Sequence, residues 1–386
     1  MGYVTVLPTA TLRQFLIASP RYPVPNYLAP AQFYDYGRSA LGVAVDLLGL
    51  PSNSEILMPA TICEVVISTL VHKKLKIQYY NLTNNLDIDF DDLSRRVNPN
   101  TKAIYVNHFL GRASSLSEVR DFCNKNDIKL IEDCAHGLAS EYEGQQLGST
   151  GDVSIFSYRK FLPIPDGGGL VINDKKLMQN PTTLPNQNWQ RQLISGIKLV
   201  GLRLAQMGIL PISILKKLRG NTVETYIDGS DEINEINWSP PQNIQWLSRK
   251  AIEKSNIDFM REQRQINYLA WQKNLIFGDQ MVPLFNQLQK GAVPYSFPIL
   301  VERREQLIRS LAKHSIYLEP TLTNPPYFGL SKSEIALNSF DQITSITSRL
   351  LSLPVHQSIS ENDIKNMAVL INSAISNAEP LKIEYS

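Results

Sequence analysis

The chain has 386 residues, 43% of them apolar and 19% charged, which suits a globular protein with a core large enough for two domains. Its 38 basic and 36 acidic residues leave a net charge of +2, which excludes a general attraction to nucleic acid or to an anionic membrane. The three cysteines, Cys63, Cys123 and Cys134, are too few and wrongly spaced for a disulfide framework or a zinc site, and no metal is expected.

The chain opens on MGYVTVLPTATLRQF, which has no charged run leading into an apolar one. A cytoplasmic location is the default expectation. Tyr36–Leu41 (YGRSAL) then places a Gly and small polar residues at the start of a predicted helix, Ser39–Leu48. Short β-rich runs follow at Glu55–Pro59, Lys76–Asn81, Ala103–Asn107, Ile128–Glu132, Val153–Ser157 and Gly169–Asn173, with a second helical pattern over Ser115–Asn126. This alternation predicts an α/β domain with a mostly parallel, mixed sheet flanked by helices. In such sheets ligands sit beyond the carboxyl ends of the strands, where Asp133, His108 and Ser157 fall.

The alternation is lost over 178–245, a segment rich in Asn, Gln, Pro and Trp. Within it, Leu193–Arg219 is apolar, but Lys198, Arg203 and Pro211 argue against a membrane span. A buried or interface helix pair is expected there instead, with a helix lying on a membrane surface as the alternative. A long helical pattern runs from Trp246 to Asn274. It is followed by a strand-like run at Ala292–Val301, a helix at Arg304–His314 and a last helix after Ser360, where Ser360 and Asp363 look like a reciprocal cap. The expected division is a large domain over 1–245 and a smaller C-terminal α/β domain over 246–386.

The stretch from Leu130 to Asn173 carries the chemistry: LIEDCAHGLASEYEGQQLGSTGDVSIFSYRKFLPIPDGGGLVIN. Asp133 ends an apolar run, His136 follows three residues later, and Lys160 stands after a second apolar run. Each also has a plainer reading, as a helix-capping Asp, a core His and a surface Lys. Together they meet the needs of pyridoxal phosphate. Lys160 offers the amine for a Schiff base, with Arg159 as a cationic neighbour that favours the free amine. Asp133 can keep the pyridine nitrogen protonated, and His136 can bond the phenolic oxygen. Gly37, Arg38 and Ser39 present helix N–H groups to a phosphate, with Ser157 adding a hydroxyl.

The order YGRSAL, MPATIC, VNHFLG, IEDCAHG, FSYRK with DGG, and LLSLPVHQSIS resembles the DegT/DnrJ/StrS-type sugar aminotransferases, which are fold-type I pyridoxal phosphate enzymes. The likeness runs from about residue 30 to 375, with 178–245 poorly matched. It implies the same roles for Asp133, His136, Ser157 and Lys160, and it places the family's phosphate turn on Tyr36–Leu41. The family's aromatic residue that stacks on the cofactor ring falls on Cys63. The spacing from Ser157 to Lys160 is shorter than usual in the family, which makes Arg159 a candidate for part of the phosphate grip. The resemblance implies transfer of an amino group from an amino acid, usually glutamate, to a keto sugar, usually nucleotide-linked, by a homodimer. Two alternatives stay open: a related reaction or a non-sugar acceptor on the same scaffold, or a non-catalytic binding protein.

Overall fold

The computed structural model describes residues 32–177, 240–318 and 340–376 continuously, with isolated positions at 8, 184–186, 190, 193–194, 197, 204 and 320–322. Its first half alternates as expected. In chain order it runs β1 (Gln32–Tyr34), α1 (Gly37–Leu48), β2 (Glu55–Pro59), α2 (Glu64–His72), β3 (Lys76–Tyr80), α3 (Phe90–Arg96), β4 (Thr101–Asn107), α4 (Leu116–Asn126) and β5 (Lys129–Asp133). A small hairpin, β6 (Glu141–Tyr142) and β7 (Gln145–Gln146), precedes β8 (Val153–Ser157) and β9 (Gly168–Ile172). The seven-stranded sheet has the order β1-β9-β8-β5-β4-β2-β3. Strands β8, β5, β4, β2 and β3 are parallel, and β9 is antiparallel to both β1 and β8. Central strands covered on both faces read as continuous apolar runs, which is why Leu130 and Ile131 are both fully buried.

The second half begins with α5 (Trp246–Lys254) and α6 (Ile257–Asn274). The expected single helix over 246–274 is therefore two. The Asn256 side chain accepts the Phe259 N–H at 2.9 Å and starts a new helix, while Ser255 takes an extended conformation. Strands β10 (Met281–Pro283), β11 (Ser296–Val301) and β12 (Leu350–Pro354) form an antiparallel sheet. Helices α7 (Arg304–Ala312), α8 (Asp341–Arg349) and α9 (Glu361–Ser376) complete the described chain. The expected cap is present: Ser360 Oγ accepts the Asp363 N–H at 3.2 Å, and Asp363 accepts the Ser360 N–H at 3.0 Å.

Two cores result. One lies around the large sheet and draws in Val293, Tyr295, Phe340 and Ile343 from the second half. The other packs α6 and α9 on the small sheet around Trp271, Phe297 and Leu353. Most of 193–219 lies outside the described residues. Leu193, Ile194 and Ile197, which are described, are each more than half exposed, so within this chain they are not buried. Among the described residues no helix is long and apolar enough to cross a membrane.

One buried carboxylate organises the centre of the large sheet. Glu132 is fully buried in β5 and accepts hydrogen bonds from the N–H groups of Gly148, Thr150 and Gly151, at 2.6, 3.0 and 2.9 Å. Ser154 Oγ donates at 3.3 Å, and His108 Nε2 lies at 3.0 Å. His108 Nδ1 accepts the Ser114 N–H at 3.2 Å, so the ring proton sits on Nε2 and is donated to Glu132. Cys134 Sγ completes a cluster of three potential metal-ligating side chains, but the hydrogen bonds already occupy both histidine nitrogens and both carboxylate oxygens.

Burial alone would raise the Glu132 pKa. The bonds from His108, Gly151 and Gly148 outweigh it and hold the group below the usual glutamate value. A depressed carboxylate contributes stability that is present above its unfolded pKa and lost as pH falls through its folded one. Glu132→Gln is expected to cost about 3 kcal/mol at neutral pH, because an amide cannot accept all these donors. Urea unfolding should show the deficit, and the gap to the wild type should close as pH falls through the acid range; a gap constant with pH would contradict the assignment.

Candidate active site

The parallel neighbours β4, β5 and β8 end at Asn107, Asp133 and Ser157, on one edge of the sheet. Alternation along a strand turns Asp133 to the face opposite Glu132. There it is nearly fully buried, and Oδ2 accepts from the Tyr105 hydroxyl at 2.7 Å and Asn107 Nδ2 at 2.6 Å. Oδ1 accepts the Ala135 N–H at 2.8 Å and keeps a lone pair for a further donor. Burial, then the charge of Asp133, pushes the Tyr105 pKa far up, so its hydroxyl stays a donor.

His136 follows at the turn after β5. Its Nδ1 accepts the Leu110 N–H at 3.4 Å, which leaves the ring proton on Nε2. That nitrogen lies 2.9 Å from Lys160 Nζ. The imidazole also stacks on Tyr295, with centroids 4.2 Å apart and planes 9° apart. Burial, which penalises the charged form, drives the His136 pKa well below its usual value, so the ring is neutral. An Nε2–H facing an amine requires that amine to accept, and only the uncharged form can. Burial lowers the Lys160 pKa in agreement, opposed by Asp133 and Cys63 and assisted by Arg159. Leu110 takes a left-handed conformation (φ 58°), unusual for a branched residue, and this aims its N–H at His136.

Lys160 ends a tight 3-10 turn, Tyr158–Lys160, directly after β8. The short Ser157–Lys160 spacing is therefore one compact turn. Tyr158 lies buried beneath the glycine run: a side chain at Gly169 would meet its hydroxyl oxygen at 2.5 Å, and one at Gly168 would strike the Tyr36 carbonyl.

Helix α1 begins beside Ser157. The residue before it, Tyr36, makes no side-chain cap, and no acidic residue lies in its first turn. A Cβ on Gly37 would stand 3.8 Å from that of Ser157. Ser39 is buried with its hydroxyl unpartnered, and Arg38 Nε is buried and unpartnered as well. Buried donors with no acceptor at a helix N-terminus favour an anion. The Arg38 guanidinium lies 4.5 Å from the centre of the Tyr36 ring and that of exposed Arg159 lies 5.8 Å from it, so both cations converge on this end of the site. Cys63 is exposed at the N-terminus of α2 and bears electrostatically on both Lys160 and Tyr105.

Every candidate residue thus lies along the carboxyl edge of the large sheet. Sequence reasoning missed Tyr105, Asn107, Leu110 and Tyr295. For the first two a signal existed: they stand two apart at the end of β4, so they share the face that Asp133 uses.

A family model described as the DegT/DnrJ/EryC1/StrS aminotransferase family matches residues 35–202, the stretch that supplies nearly all of these groups. This part of the chain is similar to that family. A GDP-perosamine synthase of Vibrio cholerae is 29% identical over 154 residues, covering 39% of this chain and 42% of that protein. A UDP-4-amino-4,6-dideoxy-N-acetyl-beta-L-altrosamine transaminase of Campylobacter jejuni is 31% identical over 193 residues, 47% of this chain and 51% of that one. The match to these two curated relatives thus spans about half of their length or less. In structure, the Helicobacter pylori aminotransferase PseC superposes with a TM-score of 0.68 at 16% identity, over 97% of this chain and 100% of that one. At that identity the likeness is one of fold, and it agrees with the expected fold-type I architecture.

The cysteines give a direct check on the site's exposure. Burial pushes the Cys123 thiol up to about 12, and burial with Glu132 and Asp133 pushes Cys134 up as well. Iodoacetamide on the native protein is expected to alkylate Cys63 alone, with Cys123 and Cys134 reacting only after unfolding. Peptide mass spectrometry reads the outcome; early modification of Cys134 would show that the strand end is open.

Proposed function

We propose that the chain is a pyridoxal phosphate-dependent aminotransferase that moves an amino group from an amino acid, glutamate in this reading, to a nucleotide-linked keto sugar. The observation that carries it is the Lys160 amine held 2.9 Å from His136 Nε2 on the same strand edge as the hydrogen-bonded Asp133 carboxylate. When bound, the cofactor supplies an aldehyde that condenses with amines and a ring that accepts an electron pair.

The residues present fit that group. Lys160, whose pKa burial lowers, offers an amine that can attack an aldehyde and afterwards move a proton. Asp133 Oδ1 has the spare lone pair needed to hold a ring N–H⁺. The His136 Nε2–H is a fixed donor suited to a phenolic oxygen. Gly37, Arg38, Ser39, Ser157 and Arg159 would hold the phosphate, and the orphaned Ser39 hydroxyl at the uncapped helix end is the strongest sign of it. Cys63 stands where an aromatic residue would stack in the family, so part of the ring's face is left to a thiol.

The choice of sugar acceptor rests on the relatives, whose names specify GDP- and UDP-sugar chemistry. The family likeness also supports a homodimer, a cytoplasmic location and a division near residue 245 into a large cofactor-binding part and a small C-terminal part. The short Ser157–Lys160 turn and Cys63 favour, as a second reading, the same cofactor with a different acceptor.

Purified protein given pyridoxal phosphate is expected to show the visible absorbance of lysine-bound cofactor, absent in Lys160→Ala. A wild-type protein that stays colourless in excess cofactor would sink both readings. Adding glutamate should bleach the visible band as the amine is taken up; an unchanged spectrum shifts weight to the second reading. Asp133→Asn should keep the fold but lower turnover by about 10²- to 10³-fold, the scale of losing one preorganised electrostatic partner.

A further inference from the structure

Arg264 in α6 is fully buried, and among the described residues it forms no ion pair with a carboxylate. Burial lowers its pKa to about 9. An unneutralised guanidinium in a core is costly unless its donors are well used. Here they reach main-chain carbonyls on both sides of the site. Nη2 donates to the Lys160 carbonyl at 3.3 Å, and Nη1 to those of Pro294 and Tyr295 at 3.1 and 3.3 Å. Nε donates to Gln357 Oε1 at 3.3 Å, and Gln357 Nε2 in turn donates to the Phe161 carbonyl at 2.8 Å. The guanidinium also lies over the Phe161 ring, 4.4 Å from its centre.

Both members of the Lys160–His136 pair hang from this one fork. On one side it fastens the turn that carries Lys160. On the other it fastens Tyr295, whose ring stacks on His136 and whose N–H donates to the Leu110 carbonyl at 3.0 Å. Leu110 in turn holds His136 Nδ1. We propose that Arg264 is a positioning residue that, with Gln357, holds the Lys160 amine against His136 from outside the large sheet. A turn this short has little structure of its own to aim a lysine, and the planar fork supplies what a lysine at 264 could not.

The inference rests on Lys160 and His136 as the working pair of the proposed function, but it can be tested without cofactor. In full-length protein freed of cofactor, competitive acetylation with acetic anhydride across pH, read by mass spectrometry, gives the titration midpoint of Lys160 against exposed Lys125. The groups facing the Lys160 amine are His136, Asp133, Cys63, Arg159 and the Tyr295 ring, 5.9 Å away at its centre, and none of these side chains is replaced in Arg264→Gln. Losing the fork should let the amine leave the His136 N–H, which favours its neutral form, and move towards water. The midpoint should then rise by about one pH unit, about tenfold lower reactivity at a fixed pH below both midpoints.

Arg264→Lys should recover only part of the shift. His136→Phe should raise the midpoint similarly, and the double variant with Arg264→Gln should shift no further than the larger single change. An unchanged Lys160 midpoint in a folded Arg264→Gln protein overturns the proposal, as does a double variant whose shift is the sum of the two. If Arg264→Gln does not fold, Gln357→Leu removes the neighbouring tether and should raise the midpoint by a smaller amount; no rise there overturns it as well. Failure of the protein to bind pyridoxal phosphate would leave this result readable and would count only against the proposed function.

Discussion

Two consecutive carboxylates at the end of β5 must be buried on opposite faces of the same sheet, and the architecture around them answers that demand. Burying an ionised side chain is unfavourable by several kcal/mol unless strong hydrogen bonds offset it. Glu132 is met by the N–H groups of the loop before β8 and by His108. Asp133 is met by Tyr105, Asn107 and its own following turn. The two sets differ in kind. Hydrogen bonds occupy both oxygens of Glu132, which serves as an anchor, whereas Asp133 keeps one lone pair at the sheet edge where a ligand would arrive.

The anchoring face supports the reactive one. Glu132 fixes the 148–151 loop, and that loop leads directly into β8 and the turn bearing Lys160. His108, held by Glu132 and Ser114, sits beside Asn107 and shortly before the strained Leu110. A change at the anchor would therefore reach the amine through two short stretches of chain. The second half of the chain contributes from the other side through Arg264 of α6, Gln357 and Tyr295, so the lysine turn is gripped by both halves of the molecule. This grip gives the compact Ser157–Lys160 turn its physical sense. A shorter loop carries fewer conformations, and the remaining freedom is removed by side chains from elsewhere.

Much of this was legible in the residues. The strands β2, β3, β4, β5, β8 and β9 were placed to within about two residues because each is a short β-rich run between turn signals, whereas β1, β10 and β12 were missed and the run at Ala292–Val301 began four residues before β11. Ser360 and Asp363 announced their cap because the capping bonds are local. Asp133, His136, Ser157 and Lys160 stood out because strand ends are where an α/β sheet exposes chemistry. The break at Asn256 was missed, since the apolar periodicity continues through it and only the side-chain cap interrupts the helix. Leu193, Ile194 and Ile197 were expected in a buried or interface helix pair, and they are exposed within this chain, because hydropathy alone does not tell an inward face from an outward one.

By itself, the sequence determined the alternation of most large-sheet strands with helices and the placement of Asp133, His136, Ser157 and Lys160 at or just after strand ends. These depend on local periodicity and residue chemistry, which act over a few positions. Only the tertiary structure decided which nitrogen of His136 bears the proton, that Lys160 faces it, and that Tyr105, Asn107, Tyr295 and Arg264 surround them. Those contacts join residues far apart in the chain, as Lys160 and Arg264 are, and the protonation states follow from burial and hydrogen-bond geometry that arise only in the folded chain.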